Sequence, residues 1–237
     1  MERVKTGVKG VDELLEGGIP KGSAVLLTGG SGTGKTIFAL QYLYEGAKTY
    51  NEPGIFITLE GNVKNITWNM ENFNWDIKKL QDKSLLKIYR LNLEPSRFDD
   101  SFEELIEKEL DIIADMVKDI GAVRLAVDST TAFGVWIKDK GQMRYLLYKF
   151  TNALKDLNCT NLLISETSGK KDRLSAFEVE EFVSDGVIAL YLTPPHRSMF
   201  IRKMRGTNHS KYIHPFEISS QAITVKPKET LLWEAIR

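Results

Sequence analysis

The sequence predicts an α/β fold: a mainly parallel central sheet flanked by helices, with a C-terminal antiparallel β extension. Short apolar runs alternate with amphipathic helical stretches along most of the chain, the order that builds a parallel sheet between helix layers. The run Ala24-Val25-Leu26-Leu27-Thr28 passes through a glycine-rich turn directly into helical spacing, a strand–loop–helix unit. Near the end, two strand-like segments meet at Pro194-Pro195 with no room for a crossover helix, so they must pair antiparallel.

Bulk properties agree with that fold. A chain of 237 residues holds one large α/β domain or at most two small ones. Lysine plus arginine equals aspartate plus glutamate at 32 each, so no global field draws the protein to nucleic acid or a membrane surface. Cys159 is alone and sits in an apolar segment, which reads as a small buried residue in a reducing compartment. No apolar run approaches the ~20 residues of a membrane span. The opening Met1-Glu2-Arg3-Val4-Lys5 lacks a signal peptide's apolar stretch. These features predict a cytoplasmic protein with no membrane partner.

The elements follow in order. Thr6 to Ser23 is a packed lead-in, with a short helix around Val11–Leu15 stopped by Gly17-Gly18 and a turn at Pro20-Lys21-Gly22. The strand at Ala24–Thr28 then enters Gly29-Gly30-Ser31-Gly32-Thr33-Gly34-Lys35-Thr36, which fits G-x-x-x-x-G-K-[ST]. A helix follows, marked by Ile37, Phe38, Leu40, Leu43, Tyr44 and Ala47. A triphosphate needs several backbone N–H groups aimed at it, and glycines supply the required turns. The helix adds its positive dipole end. Lys35 would reach the β- and γ-phosphates and the Thr36 hydroxyl would ligand Mg²⁺. The stretch therefore predicts binding of a nucleoside triphosphate with Mg²⁺.

Gly54–Leu59 reads as a buried strand ending in Glu60-Gly61. A carboxylate at the C-terminal end of a parallel strand stands where α/β sheets bind ligands, placed to activate the water that attacks a γ-phosphate. Asn65 to Leu80, with Trp68, Met70, Phe73 and Trp75, reads as a helical pair packed on the sheet, its aromatics in the core. Leu85–Leu91 is a further strand. A helix then buries Phe102, Leu105, Ile106, Leu110, Ile113, Met116, Val117 and Ile120, leaving Glu103, Glu104, Glu107, Glu109, Asp111 and Asp115 on a solvated face. The strand Val123–Ser129 closes on Asp128, in the position of a Walker B aspartate that holds Mg²⁺ through water or orients Thr36.

Lys138 to Asp156 reads as a helix, and Thr160–Thr167 as a strand beside the Walker B strand, its polar tip able to sense a γ-phosphate. Ser168 to Ser175 is a polar, basic loop. Val187–Leu192 and Ser198–Arg205 form the closing hairpin. Lys203 and Arg205, two apart on a strand, share a face and could jointly clamp phosphate.

A resemblance accompanies these motifs. The lead-in pattern T-G-x-x-G-x-D-x-L-L-x-G-G-I-P-x-G-S, the P-loop and Lys203-Met204-Arg205-Gly206-Thr207-Asn208-His209 are together similar to KaiC-like ATPases of the RecA superfamily. The resemblance runs from Thr6 to about Val225 and implies one RecA-like P-loop NTPase domain over residues 1–237. In it 1–23 form the lead-in, 24–193 the core, 198–226 the β extension and 227–237 a tail. It implies ATP or ADP as the nucleotide and a catalytic role for Glu60. Many relatives carry two adjacent glutamates there, whereas this chain has Gly61, so hydrolysis is expected to be slow. It also implies a homo-oligomeric ring, a hexamer, in which Lys203 and Arg205 reach the neighbouring subunit's nucleotide. His209 and Lys211 would approach its sugar and base. The autokinase domain of duplicated relatives has a Ser-Thr pair where this chain has Glu181-Phe182, so autokinase activity is disfavoured. Two other functions compete: a non-hydrolysing, nucleotide-gated scaffold that recruits a protein partner, and a recombination or repair ATPase on single-stranded DNA. Zero net charge and the lack of an added DNA-binding domain count against the last.

Overall fold

The computed structural model describes residues 1–93, 101–167 and 175–232. The lead-in forms a small antiparallel pair, β1 (Arg3–Val4) with β2 (Ile19–Pro20), around the short helix α1 (Val11–Leu14). The Asp12 carboxylate accepts from both the backbone N–H and the hydroxyl of Thr6 at 2.8 Å, which closes the turn into α1. Then follow β3 (Ala24–Gly29), α2 (Lys35–Thr49), β4 (Gly54–Thr58), α3 (Val63–Glu71), α4 (Ile77–Asp82) and β5 (Leu86–Arg90). The chain continues through α5 (Phe102–Ile120), β6 (Arg124–Asp128), α6 (Lys140–Asp156), β7 (Thr160–Glu166) and α7 (Glu180–Val183). It closes with β8 (Gly186–Thr193), β9 (His196–Met204), β10 (Ile213–Ser219) and β11 (Ala222–Val225).

The large sheet has nine strands in the order β11-β10-β9-β8-β3-β7-β6-β4-β5. From β8 to β5 every neighbouring pair is parallel, and from β8 outward to β11 every pair is antiparallel. The expected mainly parallel α/β fold with an antiparallel extension is what forms. Continuous apolar strands such as Leu125-Ala126-Val127 fit a sheet covered on both faces. Phe38, Leu43, Ile66, Ile77 and Leu80 cover one face from α2, α3 and α4. Ile106, Ile113, Leu146 and Phe150 cover the other from α5 and α6. The P-loop strand β3 sits between β7 and β8, so its carboxyl end opens at the middle of the sheet.

Three expectations need correction. Trp68, read as core, is 62% exposed, because it lies on the outer face of α3 while Ile66 and Met70 turn inward. Trp75 carries the aromatic packing instead, stacked on Tyr44 at 4.9 Å between centroids. Glu109, read as part of a solvated face, is buried and accepts the Tyr89 hydroxyl at 2.9 Å, since α5 lies over the edge strand β5. The α6 helix begins at Lys140, because Asp139 caps it by accepting the Gln142 N–H at 2.9 Å. Cys159 is buried as expected, and its desolvation pushes the thiol up to about 12. Among the described residues no helix is long and apolar enough to cross a membrane.

One buried charge ties strand β6 to helix α2 and to the turn that follows it. Arg124 has no exposed surface; its guanidinium donates to Glu52 and to the Tyr42 carbonyl at 2.9 Å, and packs on the Tyr42 ring at 4.6 Å. Gly46 makes room for it, since a Cβ there would fall 2.4 Å from Arg124 Nε.

Candidate nucleotide site

The loop between β3 and α2 is shaped by its last glycine. Gly34 has φ +101°, a left-handed conformation that residues with a Cβ rarely adopt, and a Cβ there would also press within 2.8 Å of Ile218. That turn aims the start of α2, with its unpaired first-turn N–H groups, into the space above the sheet. At the helix start, Lys35 is buried and donates to the Gly30 carbonyl at 2.9 Å. The Thr36 hydroxyl donates to Asp128 Oδ2 at 2.7 Å. Two motifs 92 residues apart in sequence thus meet through one hydrogen bond.

Burial and neighbouring charges pull against each other in this cluster. Burial pushes the Asp128 carboxyl up; the Thr36 hydrogen bond and the Lys35 charge oppose this, while Glu166 and Glu60 add to it. Burial likewise pulls Lys35 down, against the carboxylates of Glu166 and Asp128. Each group would be eased by what a metal-bound phosphate brings: a cation beside Asp128 and anions beside Lys35. Among the described residues no group of three or more His, Cys, Asp or Glu could hold a metal by itself. Mg²⁺ binds through one or two protein oxygens, water and substrate phosphates. Thr36 and Asp128 are the side chains that fit it.

Glu60 stands two strands across from the P-loop side of β7. Leu59 donates its N–H to the Asp128 carbonyl at 2.9 Å, which seats Glu60 next to the Walker B end. Its side chain is exposed and opens onto a cleft of about 330 Å³ lined by Leu59, Arg90, Leu91, Val135 and Trp136. Gly61 is packed close: a Cβ there would fall 2.6 Å from Thr58 Oγ1, so a second glutamate could not enter without moving that turn.

Lys203 and Arg205 are not at this end of the sheet. Val187 pairs with Lys203 and with Leu26, whereas Gly29 pairs with Leu190. Arg205 donates its N–H to Asp185, which in turn donates to Ala24. At ~3.3 Å per residue, Lys203 and Arg205 therefore lie about 10 and 16 Å below the P-loop level. Arg205 falls just beyond the end of β9 rather than within it. Lys203 Nζ donates to the carbonyls of Glu181 at 3.0 Å and Ser184 at 2.6 Å. Arg205 pairs with Asp185 at 3.2 Å and stays 63% exposed. His209 bonds the Ser210 carbonyl through Nδ1 at 2.8 Å, and Lys211 is exposed.

Two arrangements were not legible as motifs. The turn after β9 is bound to the lead-in: Arg3 donates to Thr207 at 2.8 Å, Asn208 to Glu16 at 3.0 Å and Ser210 to the Leu14 carbonyl at 2.9 Å. The lead-in pattern and the K-M-R-G-T-N-H stretch are one structural unit. Secondly, the polar tip of β7 resolves to Glu166, whose Oε1 lies 3.8 Å from Lys35 Nζ. The basic loop expected at 168–175 lies, except for Ser175, outside the described residues.

Comparison with known proteins agrees with the motifs. The model for the KaiC ATPase family matches residues 4–230. The chain belongs to the KaiC family of ATPases. It is 38% identical over 247 residues to a UPF0273 protein of Methanocaldococcus jannaschii, covering 98% of this chain and 99% of the relative. It is 34% identical to the circadian clock oscillator protein KaiC of Parathermosynechococcus lividus, of which it spans 42% of the length. A solved KaiC-like protein from Pyrococcus horikoshii superposes with a TM-score of 0.83 at 39% identity, covering 95% of this chain and 99% of that one. KaiC-family membership makes this an ATP-binding chain with the P-loop ATPase architecture.

Proposed function

We propose that this KaiC-family chain is a Mg²⁺-dependent ATPase that assembles into a ring, a hexamer, with nucleotide held between neighbouring subunits. The observation that carries the reading is the Thr36–Asp128 bond beside buried Lys35, which brings the two motifs together. In this reading Gly29 to Thr36 cradle the phosphates and Lys35 holds the β- and γ-oxygens. Glu60 takes the proton of the attacking water as its oxygen bonds the γ-phosphorus and the bond to the β-phosphate oxygen breaks. Mg²⁺, when bound, neutralises charge on the phosphates. Lys203 and Arg205 of a neighbouring subunit neutralise charge developing on the transferred group, and His209 and Lys211 approach the same nucleotide. Their distance from their own P-loop supports a role in trans.

A second reading, a scaffold that binds ATP without turning it over, is favoured by the lone Glu60 beside closely packed Gly61. Phosphate release and molecular size, measured with ATP, with ADP and with neither, separate the two. The ATPase reading expects slow release that needs Mg²⁺ and falls about a hundredfold in Glu60→Gln. Release indistinguishable from that of Glu60→Gln makes the protein a scaffold. A single-chain size with saturating ATP removes the ring.

A further inference from the structure

Lys35 has a second partner besides the P-loop. One of its three donors goes to the Gly30 carbonyl, and its ammonium also lies 3.8 Å from the Glu166 carboxylate. The two side chains differ in surroundings: Lys35 is 7% exposed, Glu166 56%. After burial, the Glu166 carboxylate is the strongest influence on how readily Lys35 keeps its proton.

The backbone beneath Glu166 is fixed. Glu166 is in register with Gly29, the first P-loop residue, across the β3–β7 pair. Its own N–H donates to the Thr131 hydroxyl at 2.9 Å, and the next N–H, from Thr167, donates to the Gly29 carbonyl at 3.1 Å. Thr131 belongs to the turn that follows Asp128, where Thr130 also donates to the Ile164 carbonyl at 3.1 Å. The strand tip is therefore held on both sides, and the half-exposed carboxylate is the part able to swing.

We propose that Glu166 competes with the γ-phosphate for Lys35 and so sets the preference of the P-loop between nucleoside triphosphate and diphosphate. The inference rests on the nucleotide reading above. A carboxylate and a terminal phosphoryl group are both oxyanions seeking the same ammonium, and a P-loop lysine reaches the β- and γ-phosphates. A triphosphate must displace Glu166 from Lys35 and then hold extra negative charge a few ångströms from it, in a site where burial weakens solvent screening. A diphosphate offers Lys35 its β-phosphate but brings no γ-phosphoryl charge beside Glu166, so it meets less of this competition. Glu166 therefore weakens triphosphate binding selectively. After hydrolysis it returns to Lys35 as the γ-phosphate leaves, which favours release of phosphate over its recapture.

The test measures dissociation constants of a fluorescent non-hydrolysable ATP analogue and of fluorescent ADP, both with Mg²⁺, for the full chain. Wild type, Glu166→Gln, Glu166→Ala and Lys35→Ala are compared. Glu166→Gln keeps size and polarity while removing the charge. It should tighten the triphosphate about tenfold, or about 1.4 kcal/mol, and change ADP less than twofold. Glu166→Ala should move the ratio the same way, which covers the case of one variant folding poorly. An unchanged ratio in both variants, or weaker triphosphate binding, overturns the inference. If wild type bound neither nucleotide better than Lys35→Ala, the nucleotide reading itself would fall and this inference with it. Binding by wild type with an unmoved ratio overturns the Glu166 role alone.

Discussion

Replacing Lys203 and Arg205 together by alanine separates a trans role from a cis one by orders of magnitude. The register places the backbones of the two residues about 10 and 16 Å from the level of Gly29 in their own chain. A lysine stem cannot span that gap, and Lys203 is already engaged with the Glu181 and Ser184 carbonyls. What remains in cis is a long-range field. At about 13 Å in water, two unit charges interact by ~0.3 kcal/mol, and physiological salt with its ~8 Å screening length reduces this further. Acting only in cis, the pair would change the turnover rate less than twofold. A cationic finger inserted from a neighbour contributes roughly a thousandfold or more to phosphoryl transfer. The double variant should therefore lose at least a hundredfold in phosphate release while each chain still binds nucleotide normally. Its fold should survive, because Asp185 keeps the Lys155 ammonium at 2.8 Å and the Ala24 N–H at 3.0 Å, and the exposed Arg205 pair contributes no more than about 1 kcal/mol. Mixing this variant with Glu60→Gln subunits should restore part of the activity that neither parent shows. Demonstrably mixed rings with no recovery, or a double variant within twofold of wild type, would refute the trans assignment.

Other outcomes follow from the same site. Asp128→Asn should cut the Mg²⁺ enhancement of nucleotide binding at least tenfold without lowering the nucleotide-free melting temperature, because it removes a charge that burial already disfavours. Affinity for Mg²⁺-nucleotide against pH tests both shifts. Asp128, raised above its ordinary 3.8, takes up its proton earlier as pH falls, and Lys35, lowered below 10.5, loses its proton earlier as pH rises. The binding plateau should thus be narrowed from both sides, and limbs at the ordinary values would contradict the burial argument. Glu52→Gln leaves the fully buried Arg124 without its anion. Breaking a buried pair costs about 3–5 kcal/mol. Discounted to about 2 for the 35% exposure of Glu52, this should lower the melting temperature by about 4–8 °C. Calorimetry showing a shift under 1 °C would mean that the pair contributes nothing.

Much of this architecture was open to inspection in one dimension. The order of apolar strands and amphipathic helices dictates a parallel sheet, because period and connection length are local properties. The same holds for the P-loop, whose glycines, lysine and threonine act within one turn of chain, and for Asp128, which closes an apolar run. Trp68 and Glu109 show where local pattern fails. A helix face is defined only by what lies beneath it, and the Tyr89 hydroxyl that makes burial of Glu109 tolerable sits on a strand remote in sequence. The attachment of Gly206 to Ser210 onto the lead-in was equally hidden, since it joins opposite ends of the chain. Sequence alone determined the class of fold and marked Gly29 to Thr36 as the candidate phosphate cradle. Tertiary structure decided what shares the cradle and what does not: Glu166 beside Lys35, and Lys203 and Arg205 at the far end of the sheet. Strand order and register set those distances, and neither is encoded in any short stretch of residues.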